Sequence, residues 1–233
     1  SLGCAMGISG VTGAMAMALH GVPSSEMMTA LALIGGGGAI GGAIGKAVDP
    51  MKLPQTVAAF HSFVGLAAVA TCLSSYMIHP HAGVGHKVGA MLGNLIGGIT
   101  ATGSLVAFGK LNGNMSSKPL SLPNKNLINA GMAGGHAAML ALFCASDSVG
   151  LGTGLMYATT ALSGVLGYHL VASVGGGDMP CCVTVLNSYS GWALVAEGML
   201  LDSPTLTVVG SLIGFSGAIL TKIMCDAMNR DIL

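Results

Sequence analysis

The chain has 233 residues, of which 52% are apolar and 7% are charged, whereas about a quarter of the residues of an ordinary soluble domain are charged. Eight basic and eight acidic residues give a formal net charge of zero, so there is no basic excess for the phosphate contacts of nucleic-acid binding. Together with 38 glycines and a mean hydropathy of +0.78, these values exclude a soluble domain and predict an all-α, polytopic membrane protein.

Eight apolar stretches follow one another along the chain, each near the length of about 20 residues that crosses a bilayer. Breaks that contain proline or polar residues separate them, as at Asp49-Pro50 and Asp202-Ser203-Pro204. The predicted spans lie near residues 3 to 20, 27 to 45, 54 to 76, 87 to 109, 127 to 146, 150 to 172, 181 to 201 and 205 to 226. We therefore predict a transmembrane bundle of about eight helices, with residues 1–233 as one transmembrane domain.

The basic residues indicate how the bundle is oriented. An even number of spans puts both termini on one side, and cytoplasmic loops of membrane proteins are enriched in Lys and Arg. Lys87 falls on the opposite side, whereas the other basic residues share the side of the termini: Lys46, Lys52, Lys110, Lys118, Lys125, Lys222 and Arg230. This shared side, called the inner side below, therefore faces the cytoplasm or the mitochondrial matrix.

Polar side chains within the predicted spans are candidate functional residues, because they are costly in lipid unless they face a partner or a water-filled cavity. His61 shares a helix face with small residues, and its imidazole can exchange protons near neutral pH, which favours a proton-carrying role. Counted by helical rise, His61, Ser104 and Asn187 each lie about 7 to 11 Å from the inner side. Residues from three different spans are thus predicted at a similar depth.

Other polar residues leave two interpretations open. Asn94, Ser104 and Ser190 suit either a functional role or the interhelical hydrogen bonds that commonly join membrane helices. Glu197 lies on one helix face with Asn187 and Ser190, close to the outer end, where a carboxylate either reaches water or has a function. His136 and His169 are interpreted as packing or interface residues.

Motifs for bound nucleotides and metals are absent from the sequence. Gly36, Gly38 and Gly41 match G-x-G-x-x-G in spacing, but no strand precedes them, so they are interpreted as small residues for helix packing. The six cysteines form no C-x-x-C pair. We therefore predict no cofactor or metal in this chain. Asp178 follows three glycines at the inner surface, in either a simple loop or a contact with a partner outside the membrane.

Five blocks of sequence resemble a known family. They read FHSFVGLAA at residues 60–68, TGSLVAFGKL at 102–111, GGGDMP at 175–180, LNSYSGWA at 186–193, and SGAIL at 216–220 with IMC at 223–225 and AMNR at 227–230. In this order they resemble the membrane domain, of beta-subunit type, of proton-translocating NAD(P)+ transhydrogenase. The resemblance covers about the whole chain, and it departs from the family pattern mildly, at Gly177, at Cys181-Cys182 and at Phe215.

The resemblance implies that a hydride passes from NADH to NADP+ while a proton passes inward through this domain. It further implies NAD(H)-binding and NADP(H)-binding domains on the inner side, additional transmembrane helices, and a homodimeric assembly in the lipid bilayer of the mitochondrial inner membrane or, alternatively, of the bacterial cytoplasmic membrane. The start at Ser1, without an initiator Met, indicates a processed product or a piece of a longer protein.

The resemblance also implies roles for single residues. His61 matches the histidine of proton passage, and Asn187 and Ser104 match its polar neighbours. Gly217 matches a close-packing glycine beside this path, and Asp178 matches an inner-loop carboxylate that communicates with the NADP(H) domain. Arg230 matches the start of the hinge to that domain.

Two other function classes remain as alternatives. A secondary transporter or channel for a small solute would bind its substrate at Gly-rich broken segments, and such folds usually contain an internal repeat, which we do not find. A purely structural membrane subunit would leave His61 replaceable.

Overall fold

The computed structural model describes residues 23–229, and this part of the chain is helical with no β-strand. Two short 3-10 turns, Pro50–Lys52 and Gly176–Asp178, precede the helices that begin at Leu53 and Met179. The seven described α-helices are α1 (Ser24–Ala47), α2 (Leu53–Ile78), α3 (Val84–Leu111), α4 (Lys125–Ala145), α5 (Val149–Ala172), α6 (Met179–Leu200) and α7 (Pro204–Ala227). The bounds of the seven corresponding predicted spans lie within three residues of these, and the predicted span 3–20 lies outside the described residues.

Six of the described helices, all except α6, are long and apolar enough to cross a membrane. This confirms the prediction of an all-α, polytopic bundle. α6 has the length but not the apolarity, because one of its faces carries Asn187, Ser190 and Glu197. It packs against α2, α3 and α7, so this polar face is covered by protein rather than by lipid.

The chain divides into two compact units, residues 1–50 and 51–233. The described part of the first unit is α1 and its flanking residues, and no residue of α1 is buried. In the second unit, α3 is the most extensively buried helix and contacts α2, α5 and α6. Its buried residues are mostly Gly, Ala, Ser and Thr, the small residues that let helix backbones approach closely in membranes.

α2 and α3 pack as antiparallel neighbours with a clear register. A Cβ added to Gly65 would lie 2.6 Å from the carbonyl oxygen of Gly97, and one added to Gly97 would lie 3.0 Å from Cβ of Ala68. Residues that lie one turn further along α2 therefore face residues one turn earlier in α3. One turn further toward the inner end, this register brings Ser104 of α3 to the level of His61 on α2.

α6 and α7 form an antiparallel hairpin whose interface is lined by glycine. A Cβ added to Gly210 would lie 2.8 Å from the carbonyl oxygen of Gly191, so neither helix has room for a side chain there. Further inward, Ser188 Oγ donates a 2.7 Å hydrogen bond to the carbonyl of Gly214, and Thr221 Oγ1 donates to Thr184 Oγ1 at 2.9 Å. The two helices are therefore joined by backbone contact and two hydroxyl hydrogen bonds.

Lysine side chains of α3 form hydrogen bonds with interhelical connections at both ends of the bundle. At the inner end, Lys110 Nζ donates to the carbonyls of Ala172 and Val174 at 2.7 and 2.6 Å, where the last carbonyls of α5 attract a positive charge. At the outer end, Lys87 Nζ donates to the carbonyl of Ser146 at 2.8 Å and to Asp147 Oδ1 at 3.3 Å. α3 therefore holds the connection after α5 at one end and the connection after α4 at the other.

Candidate functional site

The structure brings His61 and Asn187 into direct contact between α2 and α6. His61 Nδ1 lies 2.8 Å from the carbonyl oxygen of Val57, one turn earlier in the same helix, and Nε2 lies 3.1 Å from Asn187 Oδ1. A carbonyl oxygen only accepts hydrogen bonds, so Nδ1 carries a proton. The half-buried imidazole ring is thereby fixed in orientation, and Nε2 remains as the nitrogen that gains or loses a proton.

The Asn187 side chain can serve both protonation states of this imidazole. When Nε2 is protonated, it donates to Asn187 Oδ1, which is the arrangement in the structure. When Nε2 is neutral it becomes an acceptor, and a half-turn of the amide presents the NH₂ group to it instead. An amide, like a hydroxyl, is an uncharged side-chain group that offers both a donor and an acceptor. This geometry would let the pair keep its hydrogen bond in either protonation state of the imidazole.

Ser104 lies at the same depth as this pair. His61 lies eight residues from the inner end of α2, and Asn187 lies eight residues from the inner end of α6. Ser104 lies seven residues from the inner end of α3. These separations correspond to about 10 to 12 Å of helical rise. The Ser104 side chain is fully buried, and its Oγ has no hydrogen-bond partner in the described residues. Buried hydroxyls normally have a partner, so this one is available to a transient polar group at the level of His61.

Gly217 supports the position of Asn187. A Cβ added to Gly217 would lie 2.9 Å from both N and Cα of Ser188, the residue that follows Asn187. Any side chain at this position would push α7 away from α6 and break the Ser188 contact with Gly214. A glycine at this point therefore fixes the backbone beside Asn187.

Asp178 lies at the inner end, in the turn Gly176–Asp178 that leads directly into α6. The turn is held by the loop after α3, because Gly176 N–H donates to the carbonyl of Ser117 at 2.8 Å. A cleft of about 1020 Å³ opens beside it, lined by Asp178, Lys125, Tyr189 and Thr221 among others. The structure thus places Asp178 at a cleft, nine residues before Asn187 and directly before the first residue of α6, and not in contact with His61.

Several other polar residues left open by the sequence are structural. Asn94 Nδ2 donates to the carbonyl of Met156 at 2.9 Å and its Oδ1 accepts from Thr160, so it joins α3 to α5. Ser190 Oγ donates to the carbonyl of Leu186 within its own helix. Asn94 thus fits the interpretation as an interhelical hydrogen bond, whereas the Ser190 hydroxyl bonds within its own helix.

Within residues 23–229, the two histidines assigned to packing form no hydrogen bond with α2 or α6. His136 Nδ1 contacts the carbonyl of Met132 in its own helix, and His169 Nδ1 lies 2.7 Å from Asn129 Oδ1, between α5 and α4. Both side chains are buried. The position of Arg230 lies outside the described residues.

Sequence reasoning missed two features of the site. The first is Lys110, which joins the connection after α5 to α3; because it directly follows the predicted span 87 to 109, it resembled an ordinary loop charge. The second is a polar cluster at the outer end that includes Thr71, Ser75 and His86. The spacing of Thr71 and Ser75 by one helical turn would have indicated a shared face. Among residues 23–229, no group of three or more His, Cys, Asp and Glu side chains is arranged to hold a metal ion.

Comparison with known proteins gives one family. The chain matches the family described as NAD(P) transhydrogenase beta subunit over residues 1–233. Two relatives named NAD(P) transhydrogenase subunit beta, one from Rhodospirillum rubrum and one from a defined strain of that species, are each 41% identical over 206 residues. The match covers 84% of this chain and 43% of each relative, so the chain spans less than half the length of the curated relatives it matches.

Proposed function

This chain belongs to the NAD(P) transhydrogenase beta subunit family, and we propose that it is the proton-conducting membrane part of the enzyme. It couples inward passage of a proton to hydride transfer from NADH to NADP+. The observation that carries the proposal is the hydrogen bond between His61 and Asn187 at membrane depth, between two helices of the bundle. A small-solute transporter or channel is not favoured, because the family description names a transhydrogenase.

In the proposed mechanism, His61 takes up a proton from one side of the membrane and releases it to the other. The charged imidazolium is stabilised by Val57 and Asn187, and the neutral form is stabilised after the Asn187 amide turns. Ser104 offers its free hydroxyl at the same level. Transport requires that the two forms open to different sides, which is a shift between two conformations rather than an open channel.

α6 connects this proton site to the inner surface. Asp178 precedes the first residue of α6, and Asn187 lies about 12 Å further along the same helix. α6 is one continuous helix that contacts α7 through close glycine contacts, through the Ser188 hydroxyl and through Trp192, which lies edge-on to Phe215, so a displacement of its first turn is transmitted along the helix. A displacement of the Asp178 turn would therefore also move the Asn187 amide.

The hydride chemistry belongs to other parts of the enzyme in this proposal. NAD(H) and NADP(H) bind partner domains on the inner side, and neither nucleotide binds this chain. The NADP(H) domain contacts the Asp178 turn and connects through Arg230. We place the assembly, as a homodimer with additional transmembrane helices, in a membrane that sustains a proton gradient, the mitochondrial inner membrane or alternatively the bacterial cytoplasmic membrane.

The proposal is tested with the whole enzyme in sealed vesicles whose nucleotide-binding side faces the medium. Hydride transfer from NADPH to NAD+ runs the proposed reaction in reverse, so it is expected to acidify the vesicle lumen. A pH-sensitive dye in the lumen measures this change, and a proton ionophore should collapse it. Hydride transfer with no change in luminal pH would refute the proton-conducting function.

Replacement of Asp178 by Asn tests the coupling. The variant keeps size and hydrogen bonding but removes the charge, so NADP(H) release from the assembled enzyme is expected to change several-fold while passive proton leak stays as in the wild type. Stopped-flow nucleotide release and vesicle proton permeability measure the two quantities. Asp226→Asn is the matched control, because Asp226 is an exposed carboxylate at the same end of the bundle, paired with Lys222. Altered permeability with unaltered nucleotide release would assign Asp178 to the proton path instead.

A further inference from the structure

Glu197 is a buried carboxyl group in the outer half of the bundle. It lies three residues before the end of α6 and is 8% exposed. Its carboxyl group lies close to the Thr71 side chain of α2 and near the thiol of Cys72. The side chain therefore points between helices, and the alternative in which it reaches the outer surface does not apply.

No cationic side chain among the described residues forms an ion pair with Glu197. On α2 the facing polar groups are Thr71 and Cys72; on α3 the residues at this level are Gly89 and Gly93, which contact Leu200 and Ala196 of α6. On α7, Thr207 packs beside Gly198. A carboxylate held in membrane without a counter-charge is costly, and its protonated form is far less so. The site thus favours a group that gains and loses a proton.

A hydrogen-bonded pair of polar side chains lies between this region and the outer surface. Ser75, one turn beyond Thr71 on α2, lies with its Oγ 3.0 Å from Nε2 of His86 at the start of α3. The His86 ring stands edge-on to that of the exposed His79, with ring centroids 6.1 Å apart. Hydroxyl and imidazole groups both donate and accept hydrogen bonds, and these side chains lie between the outer medium and the turn of α2 next to Glu197.

We propose that Glu197 is the outer proton-binding group of this membrane domain, loaded from the outer medium through His86 and Ser75. This inference rests on the proposed function of proton conduction. The Glu197 carboxylate accepts a proton and becomes a neutral acid, and it then releases the proton toward the imidazole of His61, which becomes the imidazolium, while the carboxylate is restored. Asn187 lies ten residues away on α6, about 15 Å of helical rise, so water admitted in the outward-facing state carries the proton over this distance.

Glu197→Gln tests this role in the assembled enzyme in vesicles. The amide keeps the size and the polar character of the side chain beside Thr71 but binds no proton, so proton movement and the coupled hydride transfer are expected to fall at least tenfold. Glu197→Asp is expected to restore much of the rate. Asp202→Asn is the matched control, since Asp202 is an exposed carboxylate five residues further along, and it should pump like the wild type.

Two further readouts separate proton binding from a structural effect. In the wild type, the rate of proton uptake should depend on the pH of the outer side, and in Glu197→Gln the residual rate should lose this dependence. Difference infrared spectra should lose a protonated-carboxyl band in the same variant. Residual uptake with the wild-type dependence on outer pH, or an unchanged carboxyl band, would overturn the assignment even if the rate falls.

The comparison with His61→Ala separates this inference from the proposed function. If His61→Ala stops proton movement and Glu197→Gln does not, Glu197 is not the outer proton-binding group, and the proposed function stands. If both variants pump like the wild type, proton passage does not depend on His61 either, and the proposed proton path through this chain is wrong.

Discussion

His61→Ala is expected to abolish proton translocation by the assembled enzyme. The substitution removes the imidazole with its contacts to Val57 and Asn187, and no other described histidine side chain forms a hydrogen bond with α6. The measurement is the change in luminal pH when NADPH and NAD+ are added to reconstituted vesicles. Hydride exchange confined to the nucleotide-binding domains is expected to survive, because it needs no proton passage.

His136→Ala is the matched control for this experiment. His136 is also a buried intramembrane histidine with Nδ1 on a carbonyl of its own helix, yet its Nε2 has no hydrogen-bond partner in the described residues. It should keep pumping, even if removal of a buried ring lowers the stability. Undiminished translocation in His61→Ala would show that His61 only fills space, which is the structural-subunit alternative.

The positions of the helices could be predicted from the sequence because each depends on local composition. A run of about 20 apolar residues ended by proline or charge defines a span wherever it occurs, and the observed bounds of α2 to α7 follow these signals. α6 is the exception, because its own residues are not apolar enough to identify it as a membrane span. Its prediction as a span depended on its flanks, at Gly175 to Pro180 and Asp202 to Pro204, and its polar face is tolerated because other helices cover it.

The depth of His61, Ser104 and Asn187 could likewise be predicted, since depth along a helix is a count of residues. Their mutual contacts could not, because a contact depends on how each helix is rotated and which helices are neighbours. The His61 contact with Asn187 was implied by the resemblance and is seen in the geometry. Ser75 and His86 are 11 positions apart in the sequence, and Lys110 is at least 62 positions from the carbonyls that it contacts at the end of α5. No local sequence pattern pairs residues at such separations.

The two faces of α6 contact different helices of the bundle. It carries Asn187 and Glu197 on the side toward α2, while Gly191 and Ser188 face α7. One helix thus holds an amide near the inner end and a carboxyl group near the outer end, and it starts at the Asp178 turn. A rotation of α6 would alter both proton-binding environments at once, which is what coupling between two sites requires.

Asn187→Leu is expected to slow proton translocation by roughly tenfold to a hundredfold, because a hydrogen bond to a charged group contributes about 1.5 to 3 kcal/mol. Leucine has a similar size to asparagine but offers His61 neither the acceptor that the imidazolium needs nor the donor that the neutral ring needs. Initial rates of luminal acidification in vesicles measure the effect. Asn129→Leu is the matched control, since Asn129 Oδ1 pairs with His169 between α4 and α5 in a second interhelical contact of the same chemistry. Loss of an equal factor in both variants would mean that the Asn187 contact only holds helices together, whereas loss confined to Asn187→Leu would assign the amide to the proton transfer.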